Sequence, residues 1–255
     1  MRIGIAGITG RLGALCAAEL ENTASAPGIL SGGLARKADP SRRIVTDPSE
    51  LAACSDVVID VSSPDATCAN ARAFSSAGCA WVIGTTGFDA AAEDAIERAS
   101  AVIPVLRAAN FAPGLTMMLD LARQLGAALP ASEYDAEILE THHRQKRDAP
   151  SGTALAIGEH VARGRGAALA GIAETDRSGL RGEGAIGFAS LRAGQIVGEH
   201  SLILTSDTEQ ITLSHRAFDR RVFAQGALKA AYWLYGRSAG LYDMAMVFGS
   251  QAPKS

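Results

Sequence analysis

The chain has 255 residues, 47% hydrophobic and 20% charged, with a formal net charge of −3, values ordinary for a soluble globular protein with one large core or two modest ones. That balance excludes bulk attraction to nucleic acid or to an anionic membrane, so neither partner is expected and any basic site must be local. No run approaches the ~18 apolar residues of a membrane-crossing helix.

Met1–Ala6 reads as a strand rather than a signal peptide. Cys16, Cys54, Cys68 and Cys79 form no C-x-x-C pair and no zinc-finger spacing. A reducing, cytoplasmic setting with free thiols is therefore expected. Along the chain, Arg2–Ala6 predicts a strand and Gly10–Leu20 a helix with Leu12, Leu15, Cys16 and Leu20 on one face. Ile29–Ala35 predicts a weak strand, interrupted by Gly32 and Gly33. Asp56–Val61 predicts a buried strand, Pro64–Ala77 a helix, Cys79–Gly84 a strand, Phe88–Ala99 a helix and Ala101–Leu106 a strand. Strands separated by helices imply right-handed crossovers and a parallel sheet covered on both faces.

The pattern changes after Asn110. Leu115–Leu129 predicts a helix, Tyr134–Thr141 a strand and Ser151–Arg163 a helix, followed by a Gly- and Arg-rich loop from about Gly164 to Gly184. Ile186–Leu191, Ile196–Thr205 and Gln210–His215 then alternate as strands with no helices between them, the pattern of an open mixed or antiparallel sheet. Asp219–Tyr235 predicts a last helix. The expected fold is α/β: an N-terminal Rossmann-like parallel-sheet domain over 1–112, with 219–255 packing back on it, and a smaller α+β domain over 113–218.

Gly7-Ile8-Thr9-Gly10-Arg11-Leu12-Gly13 lies between the first strand and the first helix. Glycines there let the backbone approach a pyrophosphate, and the helix start supplies free N–H groups and a partial positive charge. A glycine string alone is a weak signal, but its position six residues into a strand–helix unit strengthens it. The second strand ends Leu34-Ala35-Arg36-Lys37, with no acid at its tip. A carboxylate would accept from a ribose 2′-hydroxyl, whereas a guanidinium suits a 2′-phosphate. NADPH is thus the preferred cofactor and NADH a possible one. Gly84-Thr85-Thr86-Gly87 and Ala108-Ala109-Asn110-Phe111 follow later strands, at the edge where such sheets bind ligands. Taken alone, each is equally well an ordinary turn.

The run Glu140-Thr141-His142-His143-Arg144-Gln145-Lys146-Arg147-Asp148-Ala149-Pro150-Ser151-Gly152-Thr153-Ala154 concentrates charge and hydroxyls ahead of a helix start. Cations facing free N–H groups suit a small dianion. The His142–His143 pair could ligate a metal, but no Asp, Glu or His set at ligand spacing accompanies it, and no metal is expected.

Gly7–Gly13, Gly84–Phe88, Ala108–Phe111, Glu140–Ala154 and Arg192–His200 together resemble the 4-hydroxy-tetrahydrodipicolinate reductase (dihydrodipicolinate reductase) family, from residue 2 to about 235. The resemblance implies NAD(P)H-dependent reduction of 4-hydroxy-tetrahydrodipicolinate, a cyclic imine dicarboxylate, in diaminopimelate and lysine biosynthesis. It implies His142 as general acid with Lys146 as its cationic partner, and His143 at the substrate. Gly152 and Thr153, at the helix start with Ser151, would hold a substrate carboxylate. Gly7, Ile8, Thr9, Gly10, Arg11, Leu12, Gly84, Thr85, Thr86, Ala108, Ala109, Asn110 and Phe111 would touch the cofactor, with Arg36 at its 2′-phosphate. Ala35 departs from family members that carry an acid there. The family is typically homotetrameric through its C-terminal sheet. The competing readings are another two-domain amino- or keto-acid dehydrogenase, which should lack the His142–Lys146 and Ser151–Thr153 pairing, and a redox-sensing module, which should lack the basic run altogether.

Overall fold

The computed structural model describes residues 1–22 and 27–248. In chain order these form β1 (Arg2–Ala6), α1 (Arg11–Asn22), β2 (Ile29–Leu34), β3 (Ile44–Val45), α2 (Pro48–Ala53), β4 (Val57–Asp60), α3 (Thr67–Ala77), β5 (Ala80–Ile83), α4 (Ala90–Ser100) and β6 (Pro104–Arg107). Then follow α5 (Pro113–Ala128), β7 (Asp135–His142), α6 (Gly152–Gly164), β8 (Ala173–Glu174), β9 (Ile186–Arg192), β10 (Gly198–Thr205), β11 (Gln210–Ala217), α7 (Arg221–Leu234), β12 (Gly240–Tyr242) and α8 (Met244–Phe248). The described residues divide into two compact units, one of 1–113 with those from 220 onward, the other of 114–219.

The first unit is a seven-stranded sheet in the order β12-β6-β5-β4-β1-β2-β3, every pair parallel. Successive side chains in a strand face opposite ways. Ile3, Ile5, Val57, Ile59 and Val82 accordingly enter one apolar layer with α1 and α7. Ala6, Val58, Trp81 and Ile83 enter the other, with residues of α2, α3 and α4. Because β1 lies between β2 and β4, the strand order reverses beside it, the position where open sheets of this kind leave a crevice at their carboxyl ends. The C-terminal segment belongs to this unit through α7 and through β12, which pairs with β6. Residues 249–255, the end of the expected return, lie outside the described residues.

Several predicted boundaries move for local reasons. The helix expected from Phe88 starts at Ala90, because the Asp89 side chain caps it by accepting from the Ala92 N–H at 2.8 Å. The strand expected from Ala101 starts at Pro104, because Val102 and Ile103 still donate to the Ala99 carbonyl. The strand expected from Ile196 starts at Gly198 after a turn. The predicted elements do not include β3, α2, β8, β12 or α8, all short. Yet α2 carries a helix signal of its own, with Asp47 accepting from Ser49 N–H at 2.8 Å and Pro48 in the first turn.

The second unit is a five-stranded mixed sheet, β11-β10-β7-β9-β8. β10 is antiparallel to β7 and β11, while β7–β9 and β9–β8 are parallel. The inner face of β7 reads Ala136, Ile138, Glu140, His142, all buried. That of β10 reads Gly198, His200, Leu202, Leu204. Both strands pass from an apolar end into a polar one without leaving the buried face. The loop expected over 164–184 contains a helical turn, Leu169–Gly171, and β8.

Candidate functional site

The glycine turn of the first unit is fixed by close approach. Gly7 sits at φ 82°, and a Cβ on it would lie 2.7 Å from the Val61 carbonyl oxygen. A Cβ on Gly13 would lie 2.2 Å from the Gly7 oxygen. Neither position tolerates a side chain. The first N–H groups of α1 have no acceptor within the helix, and the turn leading into it borders a cavity of about 730 Å³, together with Ala35, Arg36 and Ser62. Ile8 is buried, so only its main chain is free to meet a ligand. Thr9, Gly10, Arg11 and Arg36 are exposed.

Thr46, Ser62, Ser63, Asp65 and Asn70 also border this cavity, and the sequence reading missed them. The signal was present, since Asp56–Val61 was read as a strand and its carboxyl end had to lie at the ligand edge. Asp60 holds that edge. Its buried carboxylate accepts from Ser62 N–H (3.1 Å), Ser62 Oγ (2.6 Å), Asn70 Nδ2 (2.8 Å) and Trp81 Nε1 (3.2 Å). Burial pushes its pKa up, and these hydrogen bonds oppose the rise.

Gly84 and Phe111 meet in the same unit, for a Cβ on Gly84 would lie 2.5 Å from Phe111 Cε2. Asn110 shapes its own turn, accepting from Ala112 N–H at 2.8 Å. Ala109 and Thr86 are exposed, and Ala108 is buried. Thr85 is buried, and its hydroxyl finds no partner, an open polar valence beside the turn expected to border the cofactor. The cradle no Cβ could enter, the cavity behind it and this orphaned hydroxyl together fit a dinucleotide.

The second unit carries the charged cluster. His142 ends β7, and its Nδ1 lies 2.5 Å from Glu140 Oε2. Arg192, at the end of β9, grips Glu140 with both terminal nitrogens, at 2.8 and 2.7 Å. Burial would raise the Glu140 pKa, but hydrogen bonds from Arg192, Ser190 and His142 outweigh it and hold the carboxyl at about 2. Burial pushes the His142 pKa below its ordinary value, Glu140 pulls it back, and Lys146 and Arg192 push it down again. His200 stacks edge-on against the His142 ring at 5.0 Å between ring centres. Burial first, then His142, brings the His200 pKa to about 4.

Ser151 proves to be the cap of α6. Its Oγ accepts from Ala154 N–H at 3.1 Å and meets His200 Nε2 at 3.1 Å, while its N–H donates to Glu140 Oε1 at 3.2 Å. Ser151 thus has its hydroxyl and amide engaged within the fold, directly before Gly152 and Thr153 at the helix start. Lys146 Nζ lies 2.9 Å from Asp148 Oδ2. The Asp148 carboxyl is held below its usual range mainly by Lys146, with the Gly152 N–H contributing. An internal carboxylate thus already rests on the cation and the helix start expected to take a ligand's carboxylate. His143 is half-buried, with Nδ1 unpartnered. Arg192 and His200 come from the second segment of the resemblance, but their contact with Glu140 and Ser151 is invisible in sequence. Among the described residues no His, Cys, Asp and Glu group could hold a metal, and no helix is long and apolar enough to cross a membrane.

Solved structures share the fold. The dipicolinate-bound dihydrodipicolinate reductase from Paenisporosarcina sp. TG-14 superposes with a TM-score of 0.77 at 21% identity, over 95% of this chain and 97% of that one. A probable dehydrogenase from Thermotoga maritima gives 0.63 at 13% identity, over 97% and 93%. Fold and cradle define a two-unit α/β oxidoreductase. The chain belongs to the dihydrodipicolinate reductase family, whose N-terminal and C-terminal family models match residues 1–111 and 114–248. The 4-hydroxy-tetrahydrodipicolinate reductase of Gluconobacter oxydans is 66% identical over 244 residues, 96% of this chain and 95% of that protein. That of Gluconacetobacter diazotrophicus is 54% identical over 252 residues, 98% and 97% respectively.

Proposed function

We propose that His142 and Lys146 carry the proton-transfer half of the family's reaction in this chain and that NADPH is its preferred reductant. The reaction is the pyridine-nucleotide-dependent reduction of 4-hydroxy-tetrahydrodipicolinate to tetrahydrodipicolinate in diaminopimelate and lysine biosynthesis. The observation that carries the assignment of roles is the buried Glu140–His142 pair beside Lys146 and the start of α6.

The bound dinucleotide supplies a hydride. The backbone of Gly7–Leu12 would hold its pyrophosphate, with Gly84–Thr86 and Ala108–Phe111 bordering the rest. Lys146 and the N–H groups at Gly152 and Thr153 would hold a substrate carboxylate, displacing Asp148, and fixed cations of this kind stabilise negative charge better than mobile water. Loss of the 4-hydroxyl as water would leave a conjugated ring; as hydride adds to that ring, electron density moves toward the ring nitrogen. The protonated His142 then delivers one proton to carbon, a task suited to imidazolium. The exposed Arg36 at the cavity edge, with Ala35 in place of a carboxylate, supports preference for a 2′-phosphate. Exposed Leu191 and Ile211 on the second unit's sheet support assembly into the family's homotetramer.

Steady-state titrations with NADPH and with NADH, in wild type and Arg36→Ala, test this reading. NADPH should have the higher kcat/KM by about tenfold, equivalent to ~1.4 kcal/mol. The gap should narrow in Arg36→Ala and at high salt, since an exposed phosphate–guanidinium contact is screened. Equal or better use of NADH by the wild type would overturn the preference.

A further inference from the structure

We propose that Glu140 is the positioning residue of the proton-transfer half of the site: its carboxylate fixes the His142 ring with Nδ1–H turned to the strand interior and reserves Nε2 for the substrate. The proposal rests on the reading of His142 as the general acid.

Glu140 is 1% exposed, on the middle strand of its sheet. Each of its oxygens takes donors from two directions. Oε2 receives His142 Nδ1 (2.5 Å) and Arg192 Nη1 (2.8 Å). Oε1 receives Arg192 Nη2 (2.7 Å) and the Ser151 N–H (3.2 Å). One carboxylate therefore joins the histidine, the end of β9 and the start of α6. An ionised carboxylate only accepts, so Nδ1 must be the protonated nitrogen of the neutral ring. The proton to be given away is then the one on Nε2. That nitrogen lies against Gly198, where a Cβ would stand only 3.0 Å away, so the missing side chain on β10 keeps the working nitrogen uncrowded.

The charges facing His142 explain why the ring needs this partner. Arg192 from β9 and Lys146 from the following loop are both cationic, and both disfavour imidazolium, as does burial. His200 from β10 faces the ring but stays neutral, its own pKa brought to about 4. Glu140 is the one anion among these groups. Without it the ring would lie between two fixed cations in a buried setting, and the acid form would vanish from the neutral range.

A merely structural Glu140 would influence stability and nothing else. A positioning Glu140 also sets the tautomer and the pH profile. Imidazolium is populated below its pKa, so kcat falls as pH rises through that value. Removing the carboxylate lowers the pKa and moves the falling limb to lower pH.

The experiment has two arms. Histidine-selective ¹⁵N NMR of the wild type should show the neutral His142 ring as the Nδ1–H tautomer, with a downfield Nδ1 proton; an Nε2–H tautomer would overturn the proposal, whether or not any variant folds. Profiles of kcat against pH for wild type, Glu140→Gln and Glu140→Asp form the second arm. The limb should shift down by about one to three pH units in Glu140→Gln, the usual effect of an opposite charge at this range, and return toward wild type in Glu140→Asp, which keeps the charge. A folded Glu140→Gln with an unmoved limb would overturn it. Absence of substrate-dependent nucleotide oxidation in the wild type would instead defeat the functional reading, while the tautomer would still decide the role of Glu140.

Discussion

The two units build their candidate sites in opposite ways. In the first, the candidate site is backbone: Gly7 and Gly13 have no room for a side chain, and the helix start behind them has free N–H groups. In the second, the site is side chain: Glu140, His142, Arg192, His200 and Ser151 come from three strands and a helix cap and form one hydrogen-bonded cluster. A backbone site depends on steric permission, which a local glycine pattern encodes. A side-chain cluster depends on partners distant in sequence. The first should be sensitive to added volume, the second to lost charge.

The largest effect is expected where charge and chemistry coincide. His142→Gln should lower kcat by roughly 10²–10⁴, the range for a lost general acid, with nucleotide affinity retained because the cradle belongs to the other unit. Turnover by the variant at the wild-type rate, with fluorescence titration showing that NADPH still binds, would break the comparison. Next, Lys146→Ala should weaken the ring analogue pyridine-2,6-dicarboxylate by about 1.5–3 kcal/mol, typical of a hydrogen bond to a charged group. Inhibition constants unchanged by the substitution would remove Lys146 from the site.

Ala35→Glu sharpens the comparison from the first unit. It places an acceptor at the tip of β2 and should reverse the nucleotide preference toward NADH, a change of about tenfold or more in the ratio of kcat/KM values. A ratio left where it was would mean that β2 does not meet the adenosine ribose.

The smallest effect concerns stability in acid. His200 carries a pKa of about 4 against an ordinary 6.5, so the unfolded chain takes up its proton first. Stability should fall as pH drops from about 6.5 toward 4, and the fall should continue from about 4.5 toward 2 as Glu140 is protonated. Thermal melts across that range, in wild type and His200→Gln, should show a flatter upper part in the variant. Parallel curves would indicate that other groups dominate.

The contrast also explains what the sequence made legible. The alternation of strands and helices, the glycine turn and the basic run are local patterns, and the first sheet and the cradle follow from them. Two-residue strands such as Ile44–Val45 carry too few positions to display a period. Ser151 was legible as part of a helix start, but not as a cap already engaged by Glu140 and His200, because His200 is 49 residues away. Arg192 stands 52 residues from Glu140. It could be seen only as part of a motif, since no spacing rule links residues on neighbouring strands of a mixed sheet. Asp60 was read as a strand residue, and its four donors became visible only once β4, α3 and β5 were assembled.

The central claim is that this chain couples nucleotide oxidation to reduction of a cyclic imine dicarboxylate. It is tested most directly by mixing the NADPH-loaded wild type with freshly generated 4-hydroxy-tetrahydrodipicolinate and following nicotinamide absorbance together with product. The account predicts rapid oxidation that depends on substrate, with equimolar tetrahydrodipicolinate formed and the reaction suppressed by pyridine-2,6-dicarboxylate. Oxidation that proceeds without substrate, or none when both are present, would contradict it.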